Sequence, residues 1–177
     1  GIQCVVLPEN YKDMAYLANL SRDAGADYFV MKPYSQATFS IVQREVDYRP
    51  MKEFLQSVVD QHTEAGFEVI LRTNAITNEI TGKHNFEKCR ATPFTWVYSM
   101  ANGDVFTCSA HLLDQKFCIG NLNKQSFQEI WEGDKRRENW EMMKEFDIHN
   151  CRLSCRMAQT NTYLEQLDKG VAHANFV

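Results

Sequence analysis

Six cysteines occur among the 177 residues, and five of them follow the spacing Cys89-x18-Cys108-x9-Cys118-x32-Cys151-x3-Cys155. Thiolates are soft ligands, so clustered thiols point to a metal or to redox chemistry. Cys89 enters an expected β-hairpin and Cys108 leaves it, which puts both sulfurs near the same end. Cys151 and Cys155 share one short loop and can face the same ion or cluster. Three outcomes are compatible with this spacing: an iron–sulfur cluster on these four residues, a structural zinc ion, or free buried thiols. Zinc ribbons usually pair two tight C-x2-C knuckles, and here a whole hairpin splits the first pair. Cys118 sits in the apolar run Phe117-Cys118-Ile119. It is expected in the core, and it is the substitute should one of the four not be a ligand. Cys4 lies inside an expected strand and reads as core.

Composition narrows the partners. The formal net charge is -4, which gives no global attraction to nucleic acid or anionic lipid. Lys135-Arg136-Arg137 is interleaved with Glu132, Asp134, Glu138 and Glu141 and reads as a solvated helix face. No stretch approaches the roughly 20 apolar residues of a membrane span, and GIQCVVLPEN lacks the regions of a signal peptide. A cytoplasmic location is expected, with no nucleic-acid or membrane partner. The thiols are then expected not to form structural disulfides.

The elements that must position the thiols follow from periodicity. Ile2–Leu7 is a continuous apolar run, suited to a strand buried on both faces. Asn10 is placed to cap a helix with Met14, Leu17 and Ala18 on one face, ending at Gly25. A second strand is expected over Asp27–Met31, then a polar loop from Lys32 to Tyr48. A helix starts at Pro50 and a third strand covers Phe67–Leu71. This order is that of α/β units. The pattern changes after Thr81-Gly82. Strands at Phe94–Met100 and Asp104–Cys108 flank Ala101-Asn102-Gly103, where Asn-Gly is a strong hairpin signal. A short strand is expected at Lys116–Ile119. Ser126-Phe127-Gln128-Glu129 is a capping box, and further helices are expected over residues 134–146 and 158–167. Trp96, Tyr98 and Phe106 read as core or shielding residues. His111 and His149 lie near the cysteines in sequence but read as surface groups.

These residues also resemble a known family. Cys89-x13-Gly103-x4-Cys108, Ile119-Gly120-Asn121-Leu122, Ser126 followed by Glu129-Ile130-Trp131, and the closing Cys151-Arg152-Leu153-Ser154-Cys155 resemble the SPASM/twitch auxiliary-cluster region of radical S-adenosylmethionine (SAM) enzymes. Residues 1–82 are similar to the last βα units of that family's partial (β/α)6 barrel, and residues 83–177 to the small α+β twitch domain. The resemblance implies one auxiliary 4Fe-4S cluster held by Cys89, Cys108, Cys151 and Cys155, as in the single-cluster twitch form. The last pair departs from the family's usual C-x2-C.

The resemblance further implies a parent oxidoreductase or transferase that forms a 5′-deoxyadenosyl radical. The auxiliary cluster would transfer electrons or anchor a substrate. The partners implied are a small-molecule or peptide substrate and an electron-transfer protein. The radical-forming C-x3-C-x2-C motif is absent, since Ala158 stands where Cys151 and Cys155 would need a third cysteine. The sequence is therefore expected to be an N-terminally truncated piece, inactive alone. S-adenosylmethionine and a second cluster would belong to the full-length parent. Lys32, Arg72 and Asn74 follow expected strand ends, where a barrel faces its active site, and are candidate substrate contacts. The competing function is a non-catalytic module that uses zinc to staple a small fold or an interaction surface.

Overall fold

The computed structural model describes residues 1–36, 40–42 and 44–170. Part of the expected loop from Lys32 to Tyr48 and the tail from residue 171 onward lie outside them. The described residues fall into two units. One is built from Gly1–Gln36 and Val42–Lys83, the other from residues 84–170 with 40–41.

The first unit alternates strands and helices: β1 (Ile2–Val6), α1 (Met14–Asp23), β2 (Tyr28–Pro33), α2 (Lys52–His62), β3 (Glu68–Leu71) and α3 (Thr73–Thr81). Its sheet is parallel in the order β1-β2-β3, with Cys4 opposite Met31 and Met31 opposite Leu71. Met14 and Ala18 of α1 and Leu55 and Val58 of α2 recur at helical spacing. They pack with Phe29, Met31 and Val69 of the sheet in one core. Full burial of a side chain of this size contributes about 1.5–3 kcal/mol.

Three details differ from the sequence reading. Strand β1 is not buried on both faces: Ile2 and Gln3 are exposed and only Val6 is fully covered. Among the described residues β1 pairs with β2 alone, so its outer edge and part of its surface stay open. Asn10 makes no helix-capping side-chain bond. Its Oδ1 accepts the Leu7 N–H at 2.8 Å and its Nδ2 donates to the Val5 carbonyl at 3.0 Å, which stitches the chain where it leaves β1. Helix α3 has no counterpart in the sequence reading, because TNAITNEIT is poor in strong helix formers. Burial of Ala75 and Ile76 stabilises it, and Gly82 ends it at φ +66°.

Tyr48 closes the unit's long connection. Its ring is buried, its hydroxyl donates to the Val6 carbonyl at 3.0 Å, and the same oxygen accepts the Tyr34 N–H at 2.7 Å. Burial pushes the phenol up to about 12.

The second unit begins with an irregular segment over residues 84–97. It continues with β4 (Tyr98–Ser99), β5 (Asp104–Phe106), β6 (Cys118–Asn121), α4 (Phe127–Glu132), α5 (Asp134–Lys144) and α6 (Ala158–Lys169). The strands form an antiparallel sheet in the order β4-β5-β6. The first hairpin strand is shorter than its sequence run, because Phe94 and Thr95 turn back to donate to the Ala91 carbonyl. The third strand starts later than expected, after a 3-10 turn at Gln115–Phe117 capped by Asp114.

The hairpin turn needs Gly103, which sits at φ +86° against the side chains of Asn121 and Asn123. The capping box at Ser126 forms in full, and it aims α4 so that Ile130 lies on Gly120. A Cβ added at Gly120 would meet Ile130 Cγ1 at 2.6 Å. Gly120→Ala is therefore expected to destabilise the second unit by about 1–3 kcal/mol through overpacking. Denaturant unfolding measures this, and pairing the change with Ile130→Val should recover part of the loss.

Candidate metal centre

Each candidate thiol sits on an irregular segment held by something regular. Cys89 lies in the segment before β4. Cys108 follows β5 by two residues. Cys151 follows the 3-10 turn Ile148–Asn150, and Cys155 lies just ahead of α6. The structure brings all four within electrostatic reach. Burial, and then the neighbouring Cys155, Cys108 and Cys89, push the Cys151 thiol up to about 12. Burial likewise raises Cys108, with Cys155 and Cys89 adding to the effect. None of the six cysteines forms a disulfide.

The thiols have an apolar wall. Phe106, Ala110, Phe117 and Met143 are buried beside Cys108, with Cys89, Cys151, Tyr98 and Phe146 packed against them. Cys118 packs on this same core but is half-buried, and its sulfur lies 3.7 Å from the Gly120 carbonyl. It is not among the groups that shift Cys108 or Cys151. Cys4 belongs to the first unit, on β1, and is half-buried there.

Main-chain and amide donors point at three of the sulfurs. The Ala110 N–H donates to Cys108 Sγ at 3.4 Å, the Met157 N–H to Cys155 Sγ at 3.4 Å, and Asn161 Nδ2 to Cys89 Sγ at 3.5 Å. A buried neutral thiol has little need of such donors, whereas a metal-bound thiolate carries charge that they stabilise. Soft sulfur donors, apolar surroundings and N–H groups on the sulfurs fit an iron–sulfur cluster. Among the described residues no group of three or more His, Cys, Asp or Glu converges closely enough to hold a single metal ion. A tetrahedral zinc site, with Zn–S near 2.3 Å, would need its sulfurs within about 4 Å of one another.

Several neighbours were not legible as site residues. Arg152 donates to the Ser109 hydroxyl and so ties the Cys151 segment to the Cys108 segment. Buried Asn139 of α5 accepts from Thr107 at 2.9 Å and donates to the Lys116 carbonyl at 2.8 Å, next to Cys108. His111 is not a surface group: it is buried and stacks on Phe117 with centroids 4.4 Å apart. His149 is exposed. Phe106 is core, while Trp96 and Tyr98 are half-buried and meet edge to face at 5.1 Å. Arg136 is only half-buried, yet it leaves the solvated face expected for its run and lies 4.2 Å over the Trp131 ring. An open cavity of about 510 Å³ adjoins Cys89, with Phe94, Trp140, Lys88 and Lys144 in its walls.

The candidate substrate residues lie in the first unit. Lys32 is inside β2, not beyond it, and reaches Gln3 Oε1 at 3.3 Å. Arg72 sits at the start of α3, its N–H bonded to the Met31 carbonyl, and Asn74 is exposed within that helix. Lys32 and Arg72 occupy the C-terminal ends of adjacent parallel strands.

Residues 89–156 match the family described as SPASM, an iron–sulfur cluster-binding domain; all four candidate thiols fall inside that range. No curated protein matches the chain. A solved structure of histidine-tagged "anSMEcpe with bound AdoMet", a radical SAM enzyme, shares the fold with a TM-score of 0.51 and 14% identity. The match covers 96% of this chain and 53% of that one, so the chain spans about half the length of that relative. Among the described residues, no helix is long and apolar enough to cross a membrane.

The raised Cys151 thiol gives the cluster-free, reduced protein a defined pH response. The ordinary thiol value is 9.0 and the folded one about 12. Below pH 9 neither the folded nor the unfolded chain ionises this group, and stability is intact. Above it the unfolded chain loses the proton first, so stability falls as pH rises toward about 12. Denaturation midpoints across this window should decline more steeply for the wild type than for Cys151→Ala; parallel curves would contradict the assignment.

Proposed function

With residues 89–156 in the SPASM iron–sulfur family and the chain in the fold of a radical SAM protein, we propose that this chain is the auxiliary-cluster portion of a radical SAM enzyme. It holds one 4Fe-4S cluster through Cys89, Cys108, Cys151 and Cys155. The observation that carries the reading is the four mutually coupled, buried thiols with N–H donors already on Cys89, Cys108 and Cys155. The spacing supports a cluster over zinc, because the sulfurs act on one another yet do not close to single-ion geometry. On this reading the first unit is the end of a partial (β/α)6 barrel and the second a twitch-type domain.

When bound, such a cluster supplies a one-electron acceptor or a substrate anchor. The chain's own residues do the rest. Phe106, Phe117 and Met143 keep water from the sulfurs, and the three N–H donors stabilise thiolate charge. With four cysteines filling the cluster's ligand positions, electron transfer is favoured over direct substrate ligation. The S-adenosylmethionine site and a second cluster would come from parts of the parent that this sequence does not include. Substrate would meet the barrel side, where Lys32, Arg72 and Asn74 are the candidate contacts.

Anaerobic reconstitution tests the proposal. The purified chain should turn brown and take up about four iron and four sulfide ions. Cys108→Ala should abolish loading and Cys118→Ala should leave it intact. A colourless protein carrying one zinc per chain would support the structural-module reading instead.

A further inference from the structure

Helix α6 begins beyond residue 156, where the SPASM match ends. Its inner face nonetheless grips the segment that carries Cys89. Asn161 is fully buried. Its Oδ1 accepts the N–H groups of both Arg90 and Ala91 at 2.7 Å, and its Nδ2 donates to Cys89 Sγ at 3.5 Å. One turn later, buried Glu165 accepts the Glu87 N–H at 2.6 Å and is itself paired with Lys169 at 2.6 Å. Burial works against the Glu165 carboxylate, yet Lys169 and the Glu87 N–H hold its pKa below the ordinary carboxylate range. Farther out, Asp168 pairs with Arg90 and Lys169 with Glu87.

The segment over residues 84–97 has no ladder to satisfy its amides. Buried main-chain donors must find partners, and here side chains of α6 provide them on both sides of Cys89. Helix α6 also continues directly from Cys155, whose sulfur accepts the N–H of Met157, the residue before the helix. One rigid element therefore fixes the distance between two thiols that lie 66 residues apart in the chain (155 − 89).

We infer that Asn161 is a positioning residue of the cluster: its oxygen fixes the Cys89 backbone and its amide N–H sets the electron density on the Cys89 sulfur. The inference rests on the cluster reading above. An N–H directed at a ligand sulfur favours the more negatively charged, reduced cluster and so raises its potential. Glu165 holds the same segment without touching the sulfur, so it serves as the internal comparison.

The test uses the full chain with Asn161→Leu, Asn161→Asp and Glu165→Gln, each reconstituted with iron and sulfide. Asn161→Leu should retain the cluster about 10–100-fold less well, the usual cost of losing a group that orients a ligand. The fraction that loads should show a lower midpoint potential by EPR-monitored redox titration. Asn161→Asp keeps the acceptor oxygen and should load, again with a lowered potential. Glu165→Gln should load with an unmoved potential. Full retention in Asn161→Leu, a potential unmoved in both Asn161 variants, or a folded Asn161→Asp without cluster would overturn the inference.

Hydrogen exchange on the cluster-free chain gives a separate readout. The Arg90 and Ala91 amides should exchange slowly in the wild type and fast in Asn161→Leu; equal rates would overturn the clamp. If the wild type takes up no iron and sulfide, the cluster reading fails, while the exchange data still judge the clamp.

Discussion

Four thiols held together in an apolar pocket constrain the second unit more than any other interaction. As thiolates they repel one another, and burial already pushes Cys151 up to about 12. Ionising them without a compensating cation is unfavourable, so the site makes sense as a receptor for metal. The fold must then hold four sulfurs close against their own repulsion. It does so with short elements, because strands of two to four residues supply little rigidity alone.

Side-chain ties between elements supply the rigidity. Arg152 joins the Cys151 segment to Ser109, Asn139 of α5 joins the segments on either side of Cys108, and Asn161 and Glu165 of α6 hold the segment around Cys89. Two buried asparagines thus play similar parts on two different helices. Each satisfies donors or acceptors in irregular backbone that a ladder would otherwise serve. Buried amides of this kind are costly unless all their groups are paired, which fixes the loops in one arrangement.

The motif residues away from the thiols have mechanical roles. Gly103 turns the hairpin, Gly120 makes room for Ile130, and Asn121 donates to Asp104 at 2.8 Å across the sheet. The Ser126–Glu129 capping box aims α4 at Gly120. These residues recur as a pattern because the packing of one short helix on one short sheet needs each of them. The first unit is ordinary by comparison: a parallel sheet under amphipathic helices, with Tyr48 bonding its long connection to the end of β1.

The sequence by itself determined the elements whose signals are local. Periodic apolar stripes gave α1 and α2, Asn-Gly gave the hairpin turn, and Ser-x-x-Glu gave the start of α4. It also carried the thiol chemistry, because cysteine spacing and the glycine between the first pair are one-dimensional features. Tertiary structure decided what no local signal carries. Helix α3 exists because Ala75 and Ile76 find a core. Strand β1 is partly open because it pairs along one edge only among the described residues. His111 is buried because Phe117 and Phe146 close over it. Asn161 and Glu165 read as ordinary polar positions on a helix, and only folding sets them against amides more than 70 residues earlier in the chain. Hydrogen-bond complementarity at that separation is a property of geometry, so the residues that hold Cys89 in place emerge only in three dimensions.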